Sequence, residues 1–309
     1  MLIDRVARAD RARVALIPAP TAAYRLINGA GDGLPGLIVD RYGDLCVAKV
    51  YSAAWLPHLE HLVAALARLP WVSSVYRRFG VGIVDGRQGG EVLHGQEPAD
   101  AMVVNEEGMQ LLVRPKVGQK TGLFLDQRAH RSLVRRWAPG RHVANLFGYT
   151  GGFSVAAALG GAARVTTVDI APEAIEDAKE TFRLNDLNPK DHAFEVADAF
   201  AWTPSGPLTL LVVDPPSLAR GKKDEQAALS AYRKLHRNLG PHVSRDGLLA
   251  SSSCTARLSL LEWRSAVAEG LARTGDWSWH WLSSEPEDHP TSLVHDEAHY
   301  LKFALLRRR

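Results

Sequence analysis

The stretch NLFGYTGGF, residues 145–153, follows a short apolar run and leads into an alanine-rich segment with helical periodicity. Its glycines, Gly148, Gly151 and Gly152, stand where a strand is expected to turn into a helix. Glycine there lets the backbone approach a ligand closely and leaves helix N–H groups free. A dinucleotide-binding enzyme would show G-x-G-x-x-G at this point. The different spacing disfavours a pyrophosphate cradle, and with it a dehydrogenase.

Outward from this turn, apolar strands alternate with amphipathic helices to the end of the chain. This alternation is typical of a parallel sheet covered on both faces. It predicts an α/β, Rossmann-like domain with a seven-stranded, mainly parallel sheet and ligands at the carboxyl ends of the strands. The predicted strands span residues 142–147, 163–169, 193–198, 208–214, 246–253, 277–282 and 299–306. The predicted helices lie within residues 131–138, 151–161, 172–186, 224–243 and 258–274.

A different pattern precedes this domain. Residues 1–20 are basic and then rich in proline and alanine, which predicts an N-terminal arm. Residues 21–117 predict a small α+β domain, and the α/β domain then occupies residues 118–309. The elements predicted in the small domain are strands within 24–52, a helix at 55–69, a strand at 73–80 and a hairpin at 101–115.

The composition fits a globular protein of two domains, with 309 residues, 46% hydrophobic and 23% charged. The charged N-terminus lacks a signal-peptide core, and no apolar run approaches the length of a membrane span, so we expect a cytoplasmic protein. The net charge of +3 is compatible with a nucleic acid partner. Basic runs are more often solvated faces, and here they lie at 5–13, 130–136, 219–223 and 307–309.

Acidic residues follow the second and third predicted strands of the α/β domain. Asp169 ends the second strand, where a carboxylate suits the hydroxyl pair of a ribose. Asp198 ends the third, where it can meet the amino group of an adenine. Together with the glycine turn they predict a nucleoside cofactor without phosphates, S-adenosylmethionine rather than NAD.

The fourth predicted strand ends in VVDPPSL, residues 212–218. Two prolines after Asp214 force an extended and rigid exit from the strand. A strand stop needs neither two prolines nor an acid, whereas an acid at this place can bind the ring nitrogen or amine of a flipped base. The basic stretch ARGKK, residues 219–223, follows at once and suits phosphates.

The fifth predicted strand ends in SSSC, which places Cys254 at the same sheet edge. A thiolate that adds to carbon 6 of a pyrimidine activates carbon 5 for methylation, and this requires a cysteine. Taken alone, Cys254 would more often be a small buried filler, and we keep that interpretation for Cys46. The two cysteines are far apart and provide neither a disulfide framework nor zinc-ligand spacing, so no metal is expected.

At this point the chain resembles the bacterial 23S rRNA cytosine-carbon-5 methyltransferases, which are class I S-adenosylmethionine enzymes usually built from PUA, central α+β and methyltransferase domains. The resemblance covers roughly residues 20–309. It rests on several long motifs in the same order: YRLINGAGDGLPGLIVDRYG, KTGLFLDQR, NLFGYTGGFS, DPPSL, SSSCT, DHP and YLK.

The resemblance implies Cys254 as the nucleophile toward carbon 6 and Asp214 as the contact to the edge of the base. It implies that KTGLFLDQR closes over the cofactor through Thr121, Phe124, Gln127 and Arg128. The other expected cofactor contacts follow the sheet edge: Asn145, Phe147, Gly148, Tyr149, Gly151, Asp169, Ile170, Asp198, Ala199 and Asp214. The expected substrate contacts are Pro215, Pro216, Arg220, Lys222 and Lys223. S-adenosylhomocysteine would be the product, RNA the partner, and a homodimer the expected assembly.

The sequence departs from the family at two places. Fewer than 20 residues stand where the PUA domain is expected, and Ser217 and Leu218 follow DPP where a larger or aromatic residue is usual. The alternatives are an amine or guanine methyltransferase of the same fold, a non-catalytic RNA-binding assembly factor and a small-molecule methyltransferase. Cys254 argues against the first, and the joint presence of Asn145, Asp169, Asp214 and Cys254 argues against the second.

Overall fold

The computed structural model describes residues 1–219, 221–293 and 299–309. The chain forms two compact units. The first contains residues 1–128 and a segment that begins at Pro286, and the second contains residues 129–285 and the C-terminal segment from His299. The boundary predicted at residue 117 lies earlier, and the segment from Pro286 belongs to the first unit although it follows most of the second in sequence.

The first unit is built on a five-stranded sheet in the order β1-β2-β3-β4-β5, in which only the β3–β4 pair is parallel. Its helices are α1 and α2, Leu2–Leu16 and Leu59–Leu66, the latter preceded by a short 3-10 turn. A separate hairpin of β6 and β7 turns at Glu107 and Gly108, as predicted. The strands are Ala23–Asn28, Leu37–Tyr42, Leu45–Val50, Ser74–Arg78, Gly90–His94, Met102–Glu106 and Met109–Val113.

Helix α1 corrects the prediction of an arm over residues 1–20. Val6 and Ala9 lie on one face of α1 and are buried in the core of the first unit. Arg13, one turn further along that face, is also buried, because its guanidinium forms a two-pronged ion pair with Asp32 at 2.6 and 2.7 Å. A helix with only two apolar residues on its buried face has a weak periodic signal, which explains the error.

The second unit confirms the predicted sheet. Its seven strands follow the order β10-β9-β8-β11-β12-β14-β13, and β14 alone runs in the direction opposite to the other six. The order reverses between β8 and β11, which is the point where ligands bind in open α/β sheets. The strands are His142–Leu146, Arg164–Asp169, Ala193–Val196, Leu208–Val213, Val243–Ser253, Trp277–Ser283 and Lys302–Arg308 for β8 to β14.

The helices of this unit begin where local chemistry favours them. Pro172 occupies the first turn of α5, where its missing N–H costs nothing. Ser259 and Glu262 form a capping box at the start of α7. The core contains the fully buried Trp263 and Tyr232. The helices α3 to α7 span Arg128–Trp137, Gly152–Leu159, Pro172–Arg183, Glu225–Leu239 and Leu260–Leu271.

Within the described residues, none of the helices combines the length and the hydropathy that crossing a membrane requires.

Candidate active site

The carboxyl ends of five parallel strands, β8 to β12, share one edge of the second unit's sheet. The glycine stretch follows β8, and Asp169 is the last residue of β9. Asp198 comes after β10, Asp214 directly follows β11, and Cys254 directly follows β12. The residues of this unit that are predicted to bind the cofactor and the base therefore lie along a single edge of the sheet.

The turn after β8 is held in unusual backbone geometry. Phe147 and Tyr149 have φ of 59° and 46°, and Gly151, which precedes α4, has φ of 80°. Gly148 is restricted by space instead, since a Cβ there would lie 2.7 Å from Cγ2 of Thr167. The turn leaves the first N–H groups of α4 at the ligand edge.

Asp169 fixes this turn. One carboxylate oxygen accepts the N–H of Tyr149 at 2.8 Å, and the other accepts the N–H of Ala171 at 3.0 Å. Each carboxylate oxygen has a second lone pair, so the side chain can still accept hydroxyl donors. The residue predicted to bind a ribose thus also ties the ends of β8 and β9 together.

Asn145 provides a test of whether a ligand fits here. Its side chain is 1% exposed, and Nδ2 donates to Oγ of Ser154 at 2.9 Å. Among the described residues, its Oδ1 has no hydrogen-bond donor. A buried amide oxygen without a donor is unfavourable, so an amino group of a bound cofactor would complete its hydrogen bonding.

An apolar surface lies beside the acids. Ile170, directly after Asp169, is 70% exposed. The rings of Phe147 and Phe200 pack edge to face, with their centroids 5.7 Å apart. Asp198 is exposed and accepts the N–H of Phe200 at 2.9 Å, while Ala199 is buried. An exposed aliphatic side chain next to carboxylates fits a planar base with amino and hydroxyl groups at its rim.

The structure brings the DPP motif and the cysteine together. Cys254 is partly exposed, and its Sγ lies 3.9 Å from the carbonyl oxygen of Pro215, to which the thiol donates a weak hydrogen bond. Pro215 is buried and Pro216 is exposed. In contrast, Cys46 on β3 is completely buried in the first unit, and burial raises the pKa of its thiol.

A polar cluster behind Cys254 was not predicted from the sequence. The Oγ1 of Thr255 accepts the N–H of Leu218 at 3.1 Å and lies 3.3 Å from the hydroxyl of Tyr232. The ammonium of Lys302 donates to the Thr255 carbonyl at 2.8 Å. Lys302 belongs to the YLK motif that contributed to the family resemblance, but its spacing in the sequence gave no sign of a contact near the cysteine.

Four predicted cofactor contacts belong to the first unit. Thr121, Gln127 and Arg128 are 2–3% exposed, and Phe124 is half-buried. The Thr121 hydroxyl donates to Asp40 at 2.5 Å. These side chains therefore take part in the internal structure of this unit, whatever else they contact.

Arg128 is held by a second acid of this unit, Asp288, to which it donates at 3.0 Å. Burial alone would raise the pKa of the Asp288 carboxyl, but His289 and Arg128 outweigh it and lower that pKa well below its usual range. Asp288 also accepts the backbone N–H of Arg25 at 2.8 Å, which joins KTGLFLDQR to β1.

The predicted substrate contacts after the DPP motif are only partly described. Lys222 and Lys223 are exposed in a 3-10 turn that leads into α6. Arg220 lies outside the described residues. The two lysines are accessible cations a few residues beyond Asp214.

Comparisons with known proteins agree with this geometry. A sequence model described as "S-adenosylmethionine-dependent methyltransferase" matches residues 58–259. A "Ribosomal RNA large subunit methyltransferase" of Deinococcus radiodurans is 38% identical over 298 residues, which are 93% of this chain and 72% of the relative. The "Ribosomal RNA large subunit methyltransferase I" of Aeromonas salmonicida is 32% identical over 297 residues, with 93% and 74% covered.

A solved structure also indicates a methyltransferase. A structure described as a candidate methyltransferase in complex with S-adenosylhomocysteine superposes with a TM-score of 0.86 at 28% identity, covering 99% of this chain and 80% of that one. The glycine turn, the acids along the sheet edge and the unpaired Asn145 oxygen suit the same cofactor. The chain therefore belongs to the S-adenosylmethionine-dependent methyltransferase family and uses S-adenosylmethionine as its methyl donor.

Proposed function

We propose that this methyltransferase acts on large-subunit ribosomal RNA and forms 5-methylcytosine through a covalent adduct between Cys254 and carbon 6 of the base. The names of the curated relatives support the class of RNA. The observation that carries the mechanism is the contact between the Cys254 thiol and the Pro215 carbonyl, at the sheet edge that bears the glycine turn. A ribosomal RNA substrate would place the protein in the cytoplasm.

Carbon 5 of cytosine is a weak nucleophile, so the reaction needs covalent activation. The thiolate of Cys254 adds to carbon 6, an S–C bond forms, and the electron pair of the C5–C6 double bond moves toward carbon 5. S-adenosylmethionine, when bound, would supply an electrophilic methyl group to carbon 5, with its S–CH3 bond breaking and S-adenosylhomocysteine as the leaving group. Carbon 5 then loses its proton to Asp214 or a water molecule, the double bond re-forms, and the S–C bond breaks to release the thiolate.

The remaining side chains bind and orient. Asp214 accepts a hydrogen bond from the amine of the base, and Pro215 and Pro216 keep that carboxylate in a fixed direction because their backbone is rigid. Lys222 and Lys223 bind phosphates of the RNA. The proposed cofactor contacts are Thr121, Phe124, Gln127, Arg128, Asn145, Phe147, Gly148, Tyr149, Gly151, Asp169, Ile170, Asp198 and Ala199.

Replacement of the cysteine tests this mechanism. We expect Cys254→Ala to abolish methyl transfer to ribosomal RNA, a loss of at least about 1,000-fold, with S-adenosylmethionine affinity unchanged, since the thiol acts on the base and not on the cofactor. Cys46→Ala is the matched control and should retain activity, because Cys46 is buried in the first unit. Calorimetry measures cofactor binding, and bisulfite sequencing identifies the modified nucleotide.

RNA that contains 5-fluorocytosine provides an independent measurement, since fluorine at carbon 5 cannot leave as a proton does. The wild-type chain should form an adduct with it that survives denaturing electrophoresis, and Cys254→Ala should not. Methylation that persists in Cys254→Ala, without any adduct in the wild type, would support an amine or guanine methyltransferase instead. Absence of methylation by the wild type on every ribosomal RNA preparation would support a non-catalytic assembly factor.

A further inference from the structure

Lys302 lies beside the end of the strand that carries the cysteine. It is the first residue of β14, and its Cα is paired with that of Ser253, the last residue of β12. The side chain is 5% exposed. Its ammonium donates to the carbonyl oxygens of Thr255 at 2.8 Å and of Tyr300 at 3.1 Å. These bonds hold the cation against the backbone that immediately follows Cys254.

A buried ammonium needs compensating negative charge. In the described part of the chain, the Lys302 ammonium bonds only to carbonyl oxygens and forms no ion pair. The pKa of Lys302 is lowered, because burial outweighs the interactions with Glu285, Cys254 and Glu262, which in that order raise it. The cysteine is therefore one of three groups whose negative charge would stabilise this cation.

The two carboxylates are committed elsewhere. Glu285 accepts the backbone N–H groups of Tyr300 and Leu301 at 2.6 and 2.7 Å. Glu262 accepts the N–H and hydroxyl of Ser259 in the cap of α7. Neither approaches the ammonium closely enough to form a salt bridge.

We propose that Lys302 is a positioning residue that holds Cys254 as the thiolate and fixes the backbone after it, so that the sulfur is a nucleophile at neutral pH. This inference rests on the proposed role of Cys254. The ionisation transfers the thiol proton to water, and the resulting negative sulfur is stabilised by the ammonium. Lys302 contacts neither base nor cofactor in this scheme.

Other groups around Cys254 also affect the ionisation of its thiol. A carboxylate at Asp214, which directly follows the neighbouring strand β11, would oppose thiolate formation, and so would the Pro215 carbonyl oxygen, which accepts a hydrogen bond from the neutral thiol at 3.9 Å. The hydroxyl of Tyr232, on α6, interacts electrostatically with both Cys254 and Asp214 and is itself held neutral, because burial raises its pKa. Lys302 is a buried cation that interacts electrostatically with Cys254, so its removal should have a measurable effect.

The rate of alkylation by iodoacetamide as a function of pH measures the thiolate directly and requires no RNA. The chain has only two cysteines, and Cys46 is fully buried, so the fast reaction reports Cys254. Cys254→Ser should remove the fast phase. We expect a wild-type midpoint clearly below about 8.5, the value of a free thiol. A wild-type midpoint at or above that value would overturn the proposal without any variant.

Three variants separate charge from packing. Lys302→Met removes the cation and should raise the alkylation midpoint by about one pH unit or more. Lys302→Arg keeps the charge and should stay near the wild type. Lys179→Met, which removes a partly exposed lysine that pairs with Glu176, is the matched control and should leave the alkylation midpoint unchanged. A wild-type midpoint in Lys302→Met would contradict the proposal.

Activity measurements distinguish this inference from the proposed function. In Lys302→Met, the pH profile of kcat should move upward with the alkylation midpoint, while KM for RNA stays constant, a pattern that lost packing alone would not produce. Continued methyl transfer by Cys254→Ser would refute the covalent mechanism and leave the coupling of Lys302 to the thiol intact. An inactive Cys254→Ser together with an unshifted Lys302→Met would refute the coupling alone.

Discussion

At the scale of single residues, Asp169 has two functions that a sequence pattern cannot separate. Its position at the end of the second strand of the α/β domain predicted contact with a ribose. The structure adds that both carboxylate oxygens bind backbone N–H groups, one of them in the glycine turn. A change at this residue therefore alters the shape of the pocket as well as one of its contacts.

Asp169→Asn tests this double role. An amide offers one oxygen where the carboxylate offers two, so either the Tyr149 or the Ala171 N–H loses its acceptor. Hydrogen bonds to a charged group contribute about 1.5–3 kcal/mol, and we expect S-adenosylmethionine affinity to fall by roughly 10- to 100-fold, as measured by calorimetry. Asp191→Asn, at an exposed position of the same unit, is the control. Unchanged affinity in Asp169→Asn would mean that neither the loop hydrogen bonds of this residue nor its contact with the ribose contributes to cofactor binding.

At the scale of elements, the second unit was predictable because each strand and helix has a strong local signal. The central strands are apolar on both faces, and glycine, proline or aspartate marks the ends. The first unit was less predictable. The strand Gly90–His94 was missed because no residue in it is fully buried, so its sequence lacks an alternating apolar face. Helix α1 was missed because its buried face includes an arginine neutralised by Asp32.

In the candidate site, too, only residues with a local sequence signal were predictable. The residues that follow strand ends were predictable, because parallel strands end at one edge regardless of detail. The position of Lys302 was not, because its contact with Thr255, the residue after Cys254, depends on the pairing of β14 with β12, two strands separated by α7 and β13 in sequence. Contacts that depend on strand order cannot be read from local periodicity.

Helix α1 is open to a direct test. Val6 is fully buried and Val14, on the same helix, is 66% exposed. Val6→Asp should destabilise the first unit by about 3 kcal/mol or more, because an unpaired carboxylate would replace an apolar group in the core. Val14→Asp should change stability by no more than about 0.5 kcal/mol. Urea titration followed by circular dichroism measures both, and equal effects would indicate that the N-terminal segment does not pack as a helix.

At the scale of the whole molecule, stability in acid should depend on a buried histidine. His236 on α6 is 1% exposed, with Nδ1 at 2.7 Å from the Tyr232 carbonyl oxygen and Nε2 at 2.8 Å from the Ser251 hydroxyl. Burial lowers its pKa to about 4, although the bond to the Tyr232 carbonyl acts in the opposite direction. The folded chain therefore keeps this imidazole neutral where an unfolded chain would protonate it.

The sign of the resulting pH dependence follows from the two pKa values. Between about 6.5, the ordinary value, and about 4, the unfolded state binds a proton that the folded state does not, so stability falls as the pH falls. The loss across this window is on the order of 3 kcal/mol. His236→Gln cannot be protonated and keeps an amide for the two hydrogen bonds, so its urea midpoint should vary less between pH 6.5 and 4 than that of the wild type. His142→Gln, at an exposed position at the start of β8, should keep the wild-type slope. If His236→Gln also kept that slope, other groups would determine acid unfolding, and the neutral imidazole would contribute only packing.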